Sequence, residues 1–149
     1  MTARVLVLNG PNLGSLLGER EREIYGSTTW EELQADLRKV GDSQGLDLEF
    51  HQSNHEGELI DIIDKERGRS RALIINPGGL THTSVSLLDA LRAFDGYVVE
   101  VHLSNIYARE PYRQKSVTAE GADAVVAGLG ADGYRLALEA VARRTEATG

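Results

Sequence analysis

Ala72-Leu73-Ile74-Ile75-Asn76-Pro77-Gly78-Gly79 is an apolar run without polar alternation, stopped abruptly by an asparagine, a proline and two glycines. A strand with one wet face alternates apolar and polar side chains, whereas a strand covered on both faces is apolar throughout. The stretch therefore reads as a central strand of a parallel sheet, ending in a polar turn. Other runs follow the same pattern: Val5-Leu6-Val7-Leu8 enters Asn9-Gly10-Pro11-Asn12, Leu48-Glu49-Phe50 enters Gln52-Ser53-Asn54-His55, and Val98-Val99-Glu100-Val101-His102 enters Leu103-Ser104-Asn105. Val125-Val126-Ala127 completes the set.

Between these runs lie segments of helical period. The pattern predicts strands near 4–8, 47–52, 72–76, 97–103 and 124–129, and helices near 29–44, 56–67, 84–94 and 132–146. The first helix opens on Thr28 and Thr29 ahead of Glu31 and Glu32, a capping-box pattern, and should end near Gly41 or Gly45. Strands that alternate with helices imply a three-layer α/β sandwich around a five-stranded parallel sheet, flavodoxin-like in order. One domain is expected over 1–149. Residues 9–26 form a long connection without apolar period, and loops of that length in compact domains tend to be lids over a site.

The bulk composition narrows the chemistry. A chain of 149 residues can bury a full core without staples, and the absence of cysteine excludes disulfides, thiolate metal sites and a cysteine nucleophile. No apolar run approaches the roughly 20 residues needed to span a bilayer, so a soluble, cytoplasmic protein without membrane association is expected. A formal net charge of −7 argues against a nucleic-acid partner, and any anionic ligand must be met by local arginines.

In open α/β sheets ligands bind beyond the carboxyl ends of the strands. Asn9, Asn12, Asn54, His55, Asn76, His82, His102 and Ser104 are all expected on that edge. Glu100 and His102 are two apart on one strand and so point the same way, letting the carboxylate hold one ring nitrogen and leave the other for proton transfer. Gly10, Gly14 and Gly18 match neither the dinucleotide fingerprint nor a phosphate-binding loop. A receiver domain would need aspartates where Asn9 and Asn76 stand. His51, His55, His82 and His102 have no zinc spacing, so no metal is expected, and Lys39, Lys65 and Lys115 lie away from strand ends, against Schiff-base chemistry. No cofactor is implied.

What remains suits proton chemistry on a polyhydroxylated, anionic small molecule. Tyr25 follows Arg20 and Arg22, and Arg109 and Arg113 follow the fourth strand. A phenol titrates near 10, so a tyrosine base needs help of roughly 2 to 3 pH units, which nearby guanidinium groups in a dry site can supply. The other reading of these loop arginines is a solvated surface paired with Glu19, Glu21 and Glu23.

Six stretches carry a resemblance across nearly the whole chain: Asn9-Gly10-Pro11-Asn12-Leu13, Leu17-Gly18-Glu19-Arg20-Glu21 with Ile24-Tyr25-Gly26, Gln52-Ser53-Asn54-His55-Glu56-Gly57, Asn76-Pro77-Gly78-Gly79-Leu80-Thr81-His82-Thr83-Ser84, Glu100-Val101-His102-Leu103-Ser104-Asn105, and Gly128-Leu129-Gly130. In this order they closely resemble type II 3-dehydroquinate dehydratase. The resemblance implies a cofactor-free, flavodoxin-like hydro-lyase that dehydrates 3-dehydroquinate to 3-dehydroshikimate in the shikimate pathway by anti elimination through an enolate. It implies Tyr25 as base, Arg20 as its activating cation, Asn12 as holder of a water at the enolate oxygen, and His102, oriented by Glu100, as general acid. Substrate contacts carry over to Asn76, His82 and Arg113 for ring hydroxyls and to Leu103 and Ser104 for the carboxylate. Asp89 matches a residue that reaches a neighbouring subunit's site in a dodecamer of four trimers. Between Asn12 and Arg20 this chain is one residue longer than the family pattern, Arg22 replaces a usual proline, and Ser116 to Ala124 matches poorly. The competing reading is a silent flavodoxin-like module that binds a small hydroxy acid.

Overall fold

The computed structural model describes residues 2–148. Five parallel strands, β1 (Ala3–Asn9), β2 (Leu46–Gln52), β3 (Ala72–Asn76), β4 (Tyr97–His102) and β5 (Ala124–Ala127), stand in the order β2-β1-β3-β4-β5. A short helix α1 (Arg22–Tyr25) ends the first connection, and α2 (Trp30–Gln44), α3 (Glu56–Glu66), α4 (Val85–Ala93) and α5 (Asp132–Thr148) cover the sheet. The expected flavodoxin-like order is therefore present.

Strand alternation decides which helices cover which face. Val5, Val7, Ile74, Val99 and Val101 face Leu33 and Leu37 of α2 and Tyr134, Leu138 and Val141 of α5. Their neighbours Leu6, Leu8, Leu73, Ile75 and Val98 face Leu59 and Ile63 of α3 and Leu87 and Leu91 of α4. Each fully buried Leu, Ile or Val in these two layers stabilises the fold by about 1.5–3 kcal/mol relative to exposure. The edge strand β2 is less apolar: Leu46 and Leu48 are buried and Asp47 between them is exposed, a charged residue on an edge open to unwanted pairing.

Local chemistry sets the ends of the elements. Thr29 accepts from the Glu32 amide and the Glu32 side chain accepts from the Thr29 amide, so the capping box starts α2 one residue after Thr29. Gly45 ends that helix in the left-handed region at φ 69°, whereas Gly41 lies inside it and is a packing residue, since a Cβ there would stand 3.0 Å from Leu48. β4 stops at His102, one residue short of the predicted end, and β5 stops at Ala127, two short, because Gly128 turns away at φ 91°.

The loops after β1 and β3 are clamped backbone to backbone. The Gly10 amide donates to the Asn76 carbonyl at 2.8 Å, and a Cβ on Gly10 would lie 2.5 Å from the Pro77 oxygen. Both loops therefore form one rigid floor at the carboxyl edge of the sheet.

Candidate active site

Glu100 is fully buried on the α3/α4 side of β4, and His102, two residues on, donates from Nε2 to its Oε2 at 2.8 Å. Ser116 Oγ donates to the same oxygen at 2.7 Å, and Thr118 Oγ1 donates to Oε1. Burial pushes the Glu100 carboxyl up, but hydrogen bonds from His102 and Thr118, the charge of His102 and the Ser116 hydroxyl outweigh it and hold the carboxyl below its ordinary value. An ionised carboxylate accepts only, so the His102 nitrogen facing it carries a proton. His102 is 5% exposed and thus sits on the floor of the site, deeper than a residue on the solvent edge.

Tyr25 comes from the other side of the cleft, at the end of α1. The Arg109 guanidinium donates from Nη1 to the Tyr25 hydroxyl at 2.7 Å, and Arg20 stacks with its guanidinium 4.3 Å from the ring centre. Arg22 turns away: its Nε donates to the Gly18 carbonyl and its head pairs with Glu19 in solvent. The two readings of the loop cations thus divide between two residues, with Arg20 on the tyrosine and Arg22 in the solvated pair.

Ser15 and Leu16 are exposed between buried Leu13 and Leu17, and the amides of Leu17, Glu19 and Arg20 bond back to Gly14 and Leu16. The connection predicted as one long loop is a series of turns closed by α1, which delivers Arg20 and Tyr25 over the sheet edge.

A small cleft lies between these groups, lined by Leu13, Arg20, Tyr25, Asn76, Gly78, Gly79, His82, His102, Leu103, Ser104, Ile106, Arg109 and Arg113. Three guanidinium groups in one small cleft make it locally cationic on an acidic chain, as an anionic ligand requires. His82 is fixed by its Nδ1 contact with the Lys115 carbonyl at 2.8 Å, and the Asn76 side chain accepts from the Gly78 amide at 3.1 Å. Arg113 donates to Glu110 at 2.8 Å, which leaves its head beside the cleft.

Four residues expected to converge here do not line the cleft. Asn9 is fully buried, its amide donating to the Leu13 carbonyl and its oxygen accepting from Tyr134, so it ties the loop to α5. Asn54 accepts from the Asn12 amide and from Gln52, which shapes the turn after β2. His55 is exposed and begins α3. Asn12 is also exposed, held in the left-handed region at φ 68°, where asparagine is among the few non-glycine residues found routinely. For Asn9 and Asn54 the physical reason is that polar side chains at strand ends are needed first to satisfy turning backbone. Asp89 lies exposed on α4, outside this cleft.

Conversely, Ser116 and Thr118 contact Glu100 without a sequence signal that singles them out, and Arg109, expected only as a cation after the fourth strand, is the residue that bonds the Tyr25 hydroxyl. Among the described residues, no three His, Asp or Glu side chains group as metal ligands, and no helix is long and apolar enough to cross a membrane.

Residues 3–142 match the family model described as dehydroquinase class II. The chain is similar to a 3-dehydroquinate dehydratase of Bartonella tribocorum, 48% identical over 144 residues that cover 97% of this chain and 96% of the relative. It is also similar to 3-dehydroquinate dehydratase 2 of Agrobacterium fabrum, 52% identical with 89% of each chain covered. The crystal structure of type II dehydroquinase from Propionibacterium acnes superposes with a TM-score of 0.92 at 40% identity, covering 96% of this chain and 98% of that one.

Proposed function

The chain belongs to the class II dehydroquinase family and dehydrates 3-dehydroquinate to 3-dehydroshikimate in the shikimate pathway, and we propose that it does so with Tyr25 as base and His102 as acid. The carrying observation is that a cation-bound tyrosine and a carboxylate-bound histidine line one cleft.

The carbon between the ketone and the leaving hydroxyl's carbon bears an acidic proton, because its removal leaves an enolate. Tyr25, as phenolate, takes that proton, and the charge of Arg109 at its hydroxyl and of Arg20 over its ring stabilises negative charge on the oxygen. The C–H electrons move onto the ketone oxygen. The enolate then collapses, the carbon–oxygen bond breaks and the ring double bond forms, while His102 gives its free-side proton to the departing hydroxyl, which leaves as water. Solvent returns the proton from Tyr25 to His102. The elimination is anti, with acid and base on opposite faces of the ring.

Substrate binding is assigned to Asn76, His82 and Arg113 at ring hydroxyls and to the Leu103–Ser104 turn at the carboxylate. Asn12 holds a water at the enolate oxygen, and residues 9–26 serve as the lid of a single catalytic domain. The exposed position of Asp89, away from its own cleft, supports a contribution to a neighbouring subunit within a dodecamer of four trimers. Action in the cytoplasm is part of the same proposal, and the cysteine-free composition is compatible with it. A silent binding module has no use for a tyrosine with a cation at its hydroxyl opposite a Glu–His pair.

The test is turnover of 3-dehydroquinate by Tyr25→Phe and His102→Ala, followed as the conjugated enone absorbance of the product. Each variant should lose at least about a hundredfold in kcat. A Tyr25→Phe enzyme that keeps more than a tenth of the rate would mean another base.

A further inference from the structure

The later part of the connection between β4 and β5, residues 114–123, has no periodic pattern and no role in the proton transfers described above, yet it reaches the centre of the site. Ser116 and Thr118 give both oxygens of Glu100 a hydroxyl donor, and His102 shares Oε2 with Ser116. The segment that carries them is itself pinned: the Val117 amide donates to the Thr81 carbonyl at 2.8 Å, and the Ala119 amide donates to Ser116 Oγ at 2.9 Å. Thr118 is fully buried.

A fully buried carboxylate with a single partner tends to neutralise, because the charge has lost its water. Among the described residues, none of the partners of Glu100 is a lysine or arginine. The neighbours in register are Ile75 on β3 and Val125 on β5, and α4 offers Leu87, Leu88 and Leu91. Lys115 and Glu120, the charged residues flanking the two hydroxyls, are exposed, and His82 is turned to the Lys115 carbonyl. Hydroxyls stabilise a carboxylate without cancelling its charge, so the whole negative charge remains directed at the imidazole. Pinning Oε1 also fixes the carboxylate plane, which presents Oε2 to His102.

We propose that Ser116 and Thr118 are positioning residues for the dehydration, which keep Glu100 ionised and aligned so that His102 is held as a proton donor. The inference rests on the reading of His102 as general acid, and its test must separate the two. Thr118→Val removes a hydroxyl at nearly constant volume, Ser116→Ala removes the less buried one, and Thr118→Ser restores a donor.

Each single loss should lower kcat by about tenfold and the double variant by about a hundredfold, with KM changed less than about threefold. The acidic limb of the kcat profile should move upward, as Glu100 becomes easier to protonate, and Thr118→Ser should recover most of both effects. Nitrogen NMR of the His102 ring, in free enzyme, reads the Glu100 hydrogen bond independently of turnover. An altered ring signal with lowered kcat supports the proposal. An altered signal with unchanged kcat leaves the positioning intact and overturns the general-acid reading. An unchanged signal in a folded double variant overturns the positioning role, whatever the rate does. If Thr118→Val fails to fold, Ser116→Ala alone decides by the same readouts.

Discussion

Arg109 places a guanidinium nitrogen 2.7 Å from the hydroxyl of Tyr25, a residue 84 positions earlier in the chain. A direct, charge-assisted hydrogen bond acts on the oxygen that must carry negative charge, whereas Arg20 acts through the ring face. Arg109→Ala should therefore lower kcat by about a hundredfold or more, and Arg20→Ala should lower it sharply but less. In both, the oxygen that must carry negative charge loses a stabilising cation, so the loss should fall on kcat. Arg22→Ala should stay within about threefold, as its head is spent on Gly18 and Glu19. Steady-state pH profiles of the three variants check the order. If Arg22→Ala outranks Arg20→Ala, the loop runs in another register.

The parallel sheet and both core layers were legible because β1 and β3 are apolar on both faces, a pattern only double coverage explains. The Glu100–His102 pair was legible too, since alternation along one strand fixes relative direction. The contact between Arg109 and Tyr25 was not, because it joins two loops whose sequence separation has no period. Ser116 and Thr118 were equally silent: a hydroxyl carries a signal only once its acceptor is in place. Asn9 shows the converse error. Its position at a strand end suggested a ligand group, yet a turning backbone and the Tyr134 hydroxyl use up its hydrogen bonds.

Tyr134 offers a test of that hidden scaffold. Its hydroxyl donates to Asn9 at 2.7 Å and also engages Asn76, so one phenol joins the ends of β1 and β3. Burial raises its pKa further above the ordinary tyrosine value than the bonds to Asn76 and Asn9 lower it, so it remains a donor throughout any assay range. Tyr134→Phe should cost about 1–3 kcal/mol by leaving Asn9 without its donor. KM should rise as Asn76 loses its tether, while the limbs of the pH profile stay in place. Denaturant melts and steady-state kinetics measure both.

Acid stability should depend on Glu66 as well as Glu100. Glu66 is nearly fully buried on α3, where burial raises its pKa but the Arg4 bond at 2.8 Å, the Ser70 hydroxyl and the charges of Arg4 and Arg69 pull it below normal. A carboxyl lowered in the folded state stabilises the fold above its unfolded pKa of about 4.3, and that stability is lost as pH falls through the lower folded value. The melting temperature should thus be flat near neutrality and fall below about pH 4.5. Glu66→Gln should cost about 3 kcal/mol at neutral pH and flatten the acid slope, since it removes one of the groups responsible. A Glu66→Gln slope equal to that of the parent would place the acid sensitivity elsewhere.

The clamp between the β1 and β3 loops predicts opposite outcomes for two glycines. Gly78 stands at φ 62° with a hypothetical Cβ 2.8 Å from the Pro11 carbonyl oxygen, so an alanine there meets both the left-handed penalty and a clash with immobile backbone. Gly78→Ala should lose more than about 1 kcal/mol from the dihedral alone, and more as the two loops separate. Because Asn76 and Gly78 line the cleft, kcat/KM should fall with stability. Gly57, in the first turn of α3, has no atom within 4 Å of such a Cβ and an ordinary helical backbone. Gly57→Ala should raise stability by about 0.5–1 kcal/mol through a less flexible unfolded chain, with kinetics unchanged. Thermal melts of the two alanine variants, side by side, test the clamp: equal and mild effects would mean that the loops give way to each other freely, and that the floor of the site is not rigid.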